Sequence, residues 1–306
     1  MNRRLVCQLA FLPLILPLAG CGRSEESYEP GFVNPRSRAT RHRLSFAVHP
    51  LHNPVMLDRI FRPLTDYLTA TVGARFKLVS SRDYASFDRR LAEGAFDFAL
   101  PNPYQVVRSA GHGYRVFGKV AGDQDFHGLI LTRRDSPIRS IGQLRGKTIG
   151  YPAPTAVAAT MLPQRFLHDN GVPLSSTRTV YVGSMESAIR SLIAGACDAA
   201  AIWPDPWQKF RRSDPEGARL LEVRWRTPHL VNNGLVVGRS VPQEKTGQVL
   251  AALTELSRSA RGQALLDSMS IRAFEPADDR TYAPVRQFLR EFSRTVRPID
   301  LPDGVA

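Results

Sequence analysis

Three imidazoles are the first residues in this chain that could do chemistry. His49 and His52 stand in an H-x-x-H spacing, and His127 lies in a later loop. Neutral imidazoles bind transition metals. No Cys or carboxylate cluster accompanies these three, so the spacing alone defines no metal site, and none is expected. A second group is the run Thr155-Ala-Val-Ala-Ala159, which follows Pro152-Ala-Pro154. Small residues at a helix start leave N–H groups uncovered, and those groups together with the helix dipole favour an anion. The same residues would equally suit a helix packed closely on a sheet. Trp203 and Trp207 flank Asp205, a pattern that could hold a cation. The competing expectation is that both indoles pack into their own lobe. Tyr84 and Tyr104 add phenol hydroxyls. Catalytic signatures of the G-x-S-x-G, H-E-x-x-H and Walker types do not occur, so no enzyme and no cofactor are expected.

The elements that must position these residues alternate. Leu44 to Val48 reads as a strand, and Asn53-Pro54 then caps a helix whose stripe of Leu57, Ile60, Phe61, Leu64 and Leu68 runs to about Thr71. Strands are expected at Phe76–Val79, Phe96–Leu100, Tyr114–Val120, Gly128–Thr132, Thr148–Tyr151, Thr179–Val182, Leu220–Val223 and Leu235–Val237. Helices separate most of them. The helix from Thr155 to about Asn170 contains Pro163, which should kink or divide it. Strand–helix alternation argues for an α/β fold with parallel-rich sheets.

A repeat says how these elements are grouped. Leu91-Ala-Glu-Gly-Ala-Phe-Asp-Phe-Ala99 returns as Leu192-Ile-Ala-Gly-Ala-Cys-Asp-Ala-Ala200, a shared L-x-x-G-A-x-D-x-A frame. Each copy ends a helix, turns on Gly and enters a short apolar strand behind Asp. The separation of 101 positions suits two related lobes rather than a solenoid. Lobe one is expected at residues 43–132 and 233–306, and lobe two at 133–232. Two chain crossings between the lobes would make a hinge, with ligand in the cleft between them.

The first residues fix the compartment. Asn2-Arg3-Arg4 precedes an apolar stretch from Leu5 to Leu18 that is broken by Pro13 and Pro17. This is a secretory signal, too short for a membrane span. Leu18-Ala-Gly-Cys21 resembles the bacterial lipobox, which implies cleavage after residue 20 and lipidation of Cys21. Residues 21–42 then read as a flexible tether, rich in Gly, Ser, Glu, Pro and Arg. Cys7 leaves with the signal and Cys21 takes lipid, so Cys197 has no disulfide partner. The formal charge is +13. Its arginines are scattered singly and in pairs such as Arg89-Arg90 and Arg211-Arg212, not gathered into a stripe. An exported chain of this kind points away from nucleic acid and toward a solvated surface with weak attraction to anions.

The ordered set of motifs resembles a known family. It includes Phe46-Ala-Val-His-Pro50, Ser81-Arg-Asp-Tyr84, Pro101-Asn-Pro-Tyr104, Arg134-Asp-Ser-Pro-Ile138, Leu144-Arg-Gly-Lys147, Val182-Gly-Ser-Met-Glu-Ser-Ala188 and Thr227-Pro-His-Leu-Val-Asn-Asn233. Over roughly residues 43 to 290 the chain is similar to the periplasmic substrate-binding proteins of phosphate, phosphite and phosphonate ABC transporters. That resemblance implies a two-lobed type II periplasmic-binding fold with a double-crossover hinge. It also implies a small-molecule ligand between the lobes and an ABC permease as partner. The alternative partner is a membrane histidine kinase that reads the ligand state. The family grips its oxyanion with Ser-Thr-Ser-Gly at a helix start. Here that run is Ala156-Val-Ala-Ala159, and the family's His is Met185. Tyr84 matches a family tyrosine, Asp205 a carboxylate that faces a ligand amine, and Asn233 a second acidic position. The expected ligand contacts are His49, Tyr84, Asn102, Tyr104, His127, Thr155, Ala156, Val157, Ser184, Met185, Asp205 and Asn233. With the hydroxyls gone, a buried dianion would lack donors, and a neutral, weakly charged or aromatic-bearing ligand is expected instead. Lipoproteins held at the inner membrane carry Asp after the acylated Cys. Gly22 occupies that place, which points to the outer membrane.

Overall fold

A computed structural model of the chain describes residues 43–301. The signal, Cys21 and the tether lie outside the described residues. The described residues cluster as one compact unit, built on two mixed sheets. In chain order the strands are β1 (Leu44–Val48), β2 (Phe76–Val79), β3 (Phe98–Leu100), β4 (Tyr114–Val120), β5 (His127–Arg133), β6 (Thr148–Tyr151), β7 (Arg178–Tyr181), β8 (Ala199–Ile202), β9 (Leu221–His229), β10 (Gly234–Gly238) and β11 (Phe274–Glu275). The first sheet has the order β11-β4-β10-β3-β1-β2 and the second β7-β6-β8-β5-β9. In each sheet three parallel strands are followed by one that runs antiparallel, β10 against β3 and β5 against β8.

The two sheets therefore share one ground plan, and the sequence repeat marks equivalent places in it. Leu91 and Leu192 are buried at the ends of their helices. Gly94 and Gly195 turn with φ of 69° and 74°, the left-handed region where only Gly is unstrained. Asp97 and Asp198 then fasten the entering strand to its neighbour. The Asp97 carboxylate accepts from Ser45 N and Ser45 Oγ, both at 2.8 Å, and Asp198 accepts from Thr148 N at 2.9 Å. Cys197 takes the core position that Phe96 takes in the first copy, and burial pushes its thiol up to about 11.

One boundary differs from the expectation. The sequence pattern places the strand at 128–132 in lobe one, but β5 belongs to the second sheet. The chain thus leaves the first sheet between Val120 and His127 and returns between His229 and Gly234. Hydrophobicity along β5 marks a buried strand without saying which sheet buries it. The sheet faces are covered as an α/β fold requires. Helices Pro54–Val72 and Gln243–Glu255 pack on one side of the first sheet, and Pro103–Ser109 and Ala283–Thr295 on the other. Helix Met185–Ile193 covers one side of the second sheet and Leu162–Asp169 the other. Among the described residues no helix is long and apolar enough to cross a membrane.

The two crossings are bonded to each other, Leu230 N to Phe126 O at 3.0 Å and Asn232 Nδ2 to Gly122 O at 3.3 Å, and one carboxylate adds a charged link. Asp123 accepts from Asn232 N at 2.9 Å and pairs with Lys119 Nζ at 2.7 Å. Lys119 is only 5% exposed and also pairs with Glu275 at 2.6 Å. Burial alone would lower the Lys119 pKa, but its two carboxylate partners outweigh it and the pKa is raised. Removing Asp123 would strand a main-chain donor and leave a buried ammonium with one partner. Asp123→Ala is therefore expected to destabilise the fold by about 2–3 kcal/mol in urea unfolding.

Candidate functional site

The carboxyl ends of the parallel strands in both sheets face one another across a cleft. The chain after β1 brings His49 there, the chain after β3 brings Asn102, and the chain after β6 brings the Thr155–Ala159 run. A π-helix, Val157–Met161, opens into the α-helix Leu162–Asp169. The wide turn precedes Pro163, whose missing N–H is tolerated in the first α-helical turn. The helix is divided here, in the way Pro163 leads one to expect. Its first main-chain donor is Thr160, bonded to Ala156 O at 2.9 Å, so the N–H groups of residues 157–159 lack intrahelical acceptors. The helix start sits hard against β5, because a Cβ on Gly128 would come within 2.5 Å of Ala158 O.

A small cavity of about 20 Å³ lies at this helix start. It holds little more than one water. His49, Tyr84, Asn102, Ala156, Val157, Met185 and Asn233 line it, so seven of the twelve expected contacts come together. Leu51, Phe126, Ala158, Ala159 and Trp203 complete the wall. Trp203 was expected to pack in its own lobe beside Trp207. Trp207 does so, stacked on Phe210, but Trp203 caps its helix from the cleft side and packs against Phe126. The Trp-Pro-Asp-Pro-Trp spacing gave the signal, since the residue before a helix-opening Pro stands outside the helix.

The other five lie elsewhere. Tyr104 lines neither this cavity nor its neighbour; its hydroxyl donates to Asp300 O at 2.9 Å. His127 begins β5 and bonds Gln124 O through Nδ1 at 3.2 Å. Thr155 donates to Asp88 Oδ2 at 3.1 Å, and Ser184 caps the helix Met185–Ile193 by accepting from Ser187 N at 3.0 Å. Asp205 lines a second, larger cavity of about 310 Å³ that shares Leu51, Trp203 and Asn233 with the first. It pairs with Lys209 at 3.2 Å, so its charge is neutralised within its own helix and the Trp–Asp–Trp cation site does not form. Among the described residues no three or more His, Cys, Asp or Glu side chains are grouped to hold a metal.

The electrostatics of the small cavity are neutral. His49 is 2% exposed, and burial holds its pKa down to about 4. Its Nδ1 lies 2.8 Å from Leu100 O, an acceptor, so Nδ1 carries the proton and Nε2 is left as an acceptor. Burial raises the Tyr84 hydroxyl far above its ordinary range, which keeps it protonated as a donor. Trp203 Nε1 and Asn233 Oδ1 are buried without a protein partner. No Lys or Arg touches the cavity. Behind Thr155, the Asp88 carboxyl is raised by burial, although Gln105 Nε2 and Thr155 Oγ1 bond to it.

Several polar bonds cross the cleft and hold the two halves together. Asn102 Nδ2 donates to Thr155 O at 2.9 Å, and Lys209 Nζ lies 3.1 Å from His52 Nε2. Arg297, after the last helix, reaches Pro154 O at 2.6 Å and Gln164 Oε1 at 3.0 Å. A ligand larger than a water therefore enters the small cavity only when these contacts open.

Paired α/β sheets, a double crossover and a cleft at the strand carboxyl ends define a two-lobed solute-binding protein of the type II periplasmic-binding class. Residues 46–282 match the family model described as ABC transporter, phosphonate, periplasmic substrate-binding protein. The chain belongs to this family. It is 20% identical over 302 residues to the phosphonates-binding periplasmic protein of Escherichia coli, covering 94% of this chain and 84% of that one. The fold is similar to that of a binding-protein component of an ABC phosphonate transporter from Pseudomonas aeruginosa (TM-score 0.75, 19% identity, 82% and 87% of the two chains). It is also similar to a Prochlorococcus marinus protein solved with methylphosphonate (TM-score 0.76, 17% identity, 83% and 99%).

The buried imidazoles give a pH signature. His49 and His52 would take up protons near 6.5 in the unfolded chain, but only near 4 in the fold, where burial is the leading cause for both. Their depressed pKa values add stability that is complete above pH 6.5 and is lost as pH falls through 4. Urea midpoints measured from pH 7.5 to 4 should fall for the native chain. They should fall less steeply for His49→Gln/His52→Gln.

Proposed function

We infer that this chain delivers to an ABC permease a small ligand with a compact, neutral or weakly charged polar head and an apolar or aromatic body. The observation that carries this reading is the neutrality of the grip. Its donors are main-chain N–H groups, the Tyr84 hydroxyl and Trp203 Nε1, and no cation lines it. Its acceptors are His49 Nε2 and Asn233 Oδ1. A phosphonate dianion placed here would lose its hydration with one hydroxyl, that of Tyr84, and no cation in the wall to replace it. The neighbouring cavity, about 310 Å³, has an apolar side of Leu51, Leu100, Met269 and Ile271 that suits an apolar body with one face of Trp203, and its wall also carries Asp125, Asp205, Arg212 and Arg272. On this reading the protein acts by binding and release, as its solute-binding family does. Acylation of Cys21 would hold it at the periplasmic face of a membrane, and Gly22 favours the outer one.

Isothermal titration separates these ligand classes. Methylphosphonate is expected to bind the native chain only weakly, above about 10 µM; sub-micromolar binding would defeat the reading. Ala156→Ser/Val157→Thr/Ala158→Ser restores three hydroxyls at the helix start and is expected to tighten methylphosphonate at least about tenfold. Ligands of the proposed class should quench Trp203 fluorescence, and Trp203→Phe should lose that signal. For the anchor, palmitate incorporation and recovery in the membrane fraction should both vanish in Cys21→Ser.

A further inference from the structure

A second large cavity, about 460 Å³, lies on the opposite edge of the first sheet from the cleft. It opens where β1, β2 and β3 begin, whereas the ligand cleft lies where they end. Four segments bring cations to it: Arg43 ahead of β1, Lys77 in β2, Arg90 in the helix Tyr84–Ala92, and Arg239 after β10. His112 adds an imidazole at the rim. The one acid in the wall, Asp97, accepts from Ser45 N and Oγ through Oδ2 and offsets one of the four charges. Among the described residues, none of the four cations forms an ion pair with a carboxylate. Arg90 is fixed in place, stacked 4.8 Å from the centre of the Phe96 ring and bonded to Ser80 O at 3.1 Å. Four cations against one carboxylate leave the concave site strongly positive, a receptor for a compact anion of more than one charge or for a phosphate group presented at a surface.

We propose that this cavity seats the phosphate-bearing headgroup of an anionic phospholipid. The choice of a lipid over a free anion follows from where the pocket lies. Its wall includes Arg43, 22 positions from Cys21 in sequence. Read as a coil, as the composition leads one to expect, 22 residues span roughly 25 Å end to end. On the reading that Cys21 is acylated, the bilayer lies within reach of this edge. Seating the headgroup there turns the cleft, at the other end of the strands, away from that bilayer.

The test uses the mature chain with Cys21→Ser, so that binding owes nothing to acylation and the anchor reading stands or falls separately. Sedimentation with vesicles containing 30% phosphatidylglycerol is expected to pull down the chain, while pure phosphatidylcholine vesicles leave it in solution. Lys77→Ala/Arg239→Ala, both exposed side chains, should weaken the phosphatidylglycerol binding roughly 30-fold. Arg261→Ala/Arg280→Ala, with the same change in net charge, should weaken it less than threefold. Vesicles should also protect Lys77 from acetylation in the unmutated pocket while Lys147 stays reactive, a readout that requires no pocket variant. Equal losses in the two double variants, or no protection of Lys77, would overturn the proposal. So would pyrophosphate binding in the pocket without vesicle binding, because the site would then belong to a soluble anion.

Discussion

The two halves of this molecule are one chain folded twice on the same plan, and the feature that makes them a single device is the ion cluster at the crossings. Asp123 receives the N–H of Asn232 from the returning segment and the ammonium of Lys119 from the outgoing strand. Glu275 on β11 shares that ammonium, and Tyr282 donates to Asn232 O at 2.8 Å. A buried ammonium is tolerable only with such partners, so the cluster fixes the place where the chain crosses. Everything distal to it can then rotate as two rigid bodies. Asn233, the next residue, lines both cavities, so the hinge and the ligand site are contiguous.

Closure is held by polar contacts between the halves as much as by any ligand. Asn102 and Thr155 looked like ligand contacts because they sit at strand carboxyl ends on facing loops. Instead they bond to each other's half, Asn102 to the Thr155 carbonyl and Thr155 to Asp88. Their hydrogen-bonding capacity is largely consumed before a ligand arrives, and the donors left for a ligand are the N–H groups of 157–159, Trp203 and Tyr84. This division explains why the helix start tolerates Ala-Val-Ala-Ala. The residues at its first turn shape the backbone and fill space against β5, and Gly128 lets them approach.

The repeat carried most of the fold in legible form. Gly94 and Gly195 announce left-handed turns, Asp97 and Asp198 fasten strands, and the intervening residues alternate as buried strands must. The sheet that β5 joins was not legible, because an antiparallel return is set by the partner strands β8 and β9 and not by local pattern. At the site, the backbone-borne features could be read: the small-residue helix start and Pro163. Orientation could not. Tyr104 and Tyr84 have the same chemistry and similar settings in sequence, yet Tyr104 turns to the C-terminal segment at Asp300 while Tyr84 faces the cleft. Nothing within a few residues of either distinguishes them.

The distribution of charge ties these parts together. The chain is strongly basic, with a formal charge of +13, yet its ligand grip contains no cation at all. A binding protein that relied on its surface field to collect an anion would focus positive residues at the cleft, where low-dielectric walls strengthen them. Lys209 is paired with Asp205 and leans on the neutral ring of His52, while Arg212 and Arg272 line the neighbouring cavity. Among the described residues, Arg43, Lys77, Arg90 and Arg239 gather without ion-pair partners at the other edge of the sheet. On the proposed reading this edge acts on the surface the molecule rests against, and the small cavity selects its ligand by shape and a few neutral hydrogen bonds. Such a site discriminates by the polar groups a wrong ligand leaves unpaired, and each of those is worth about 1–3 kcal/mol when buried.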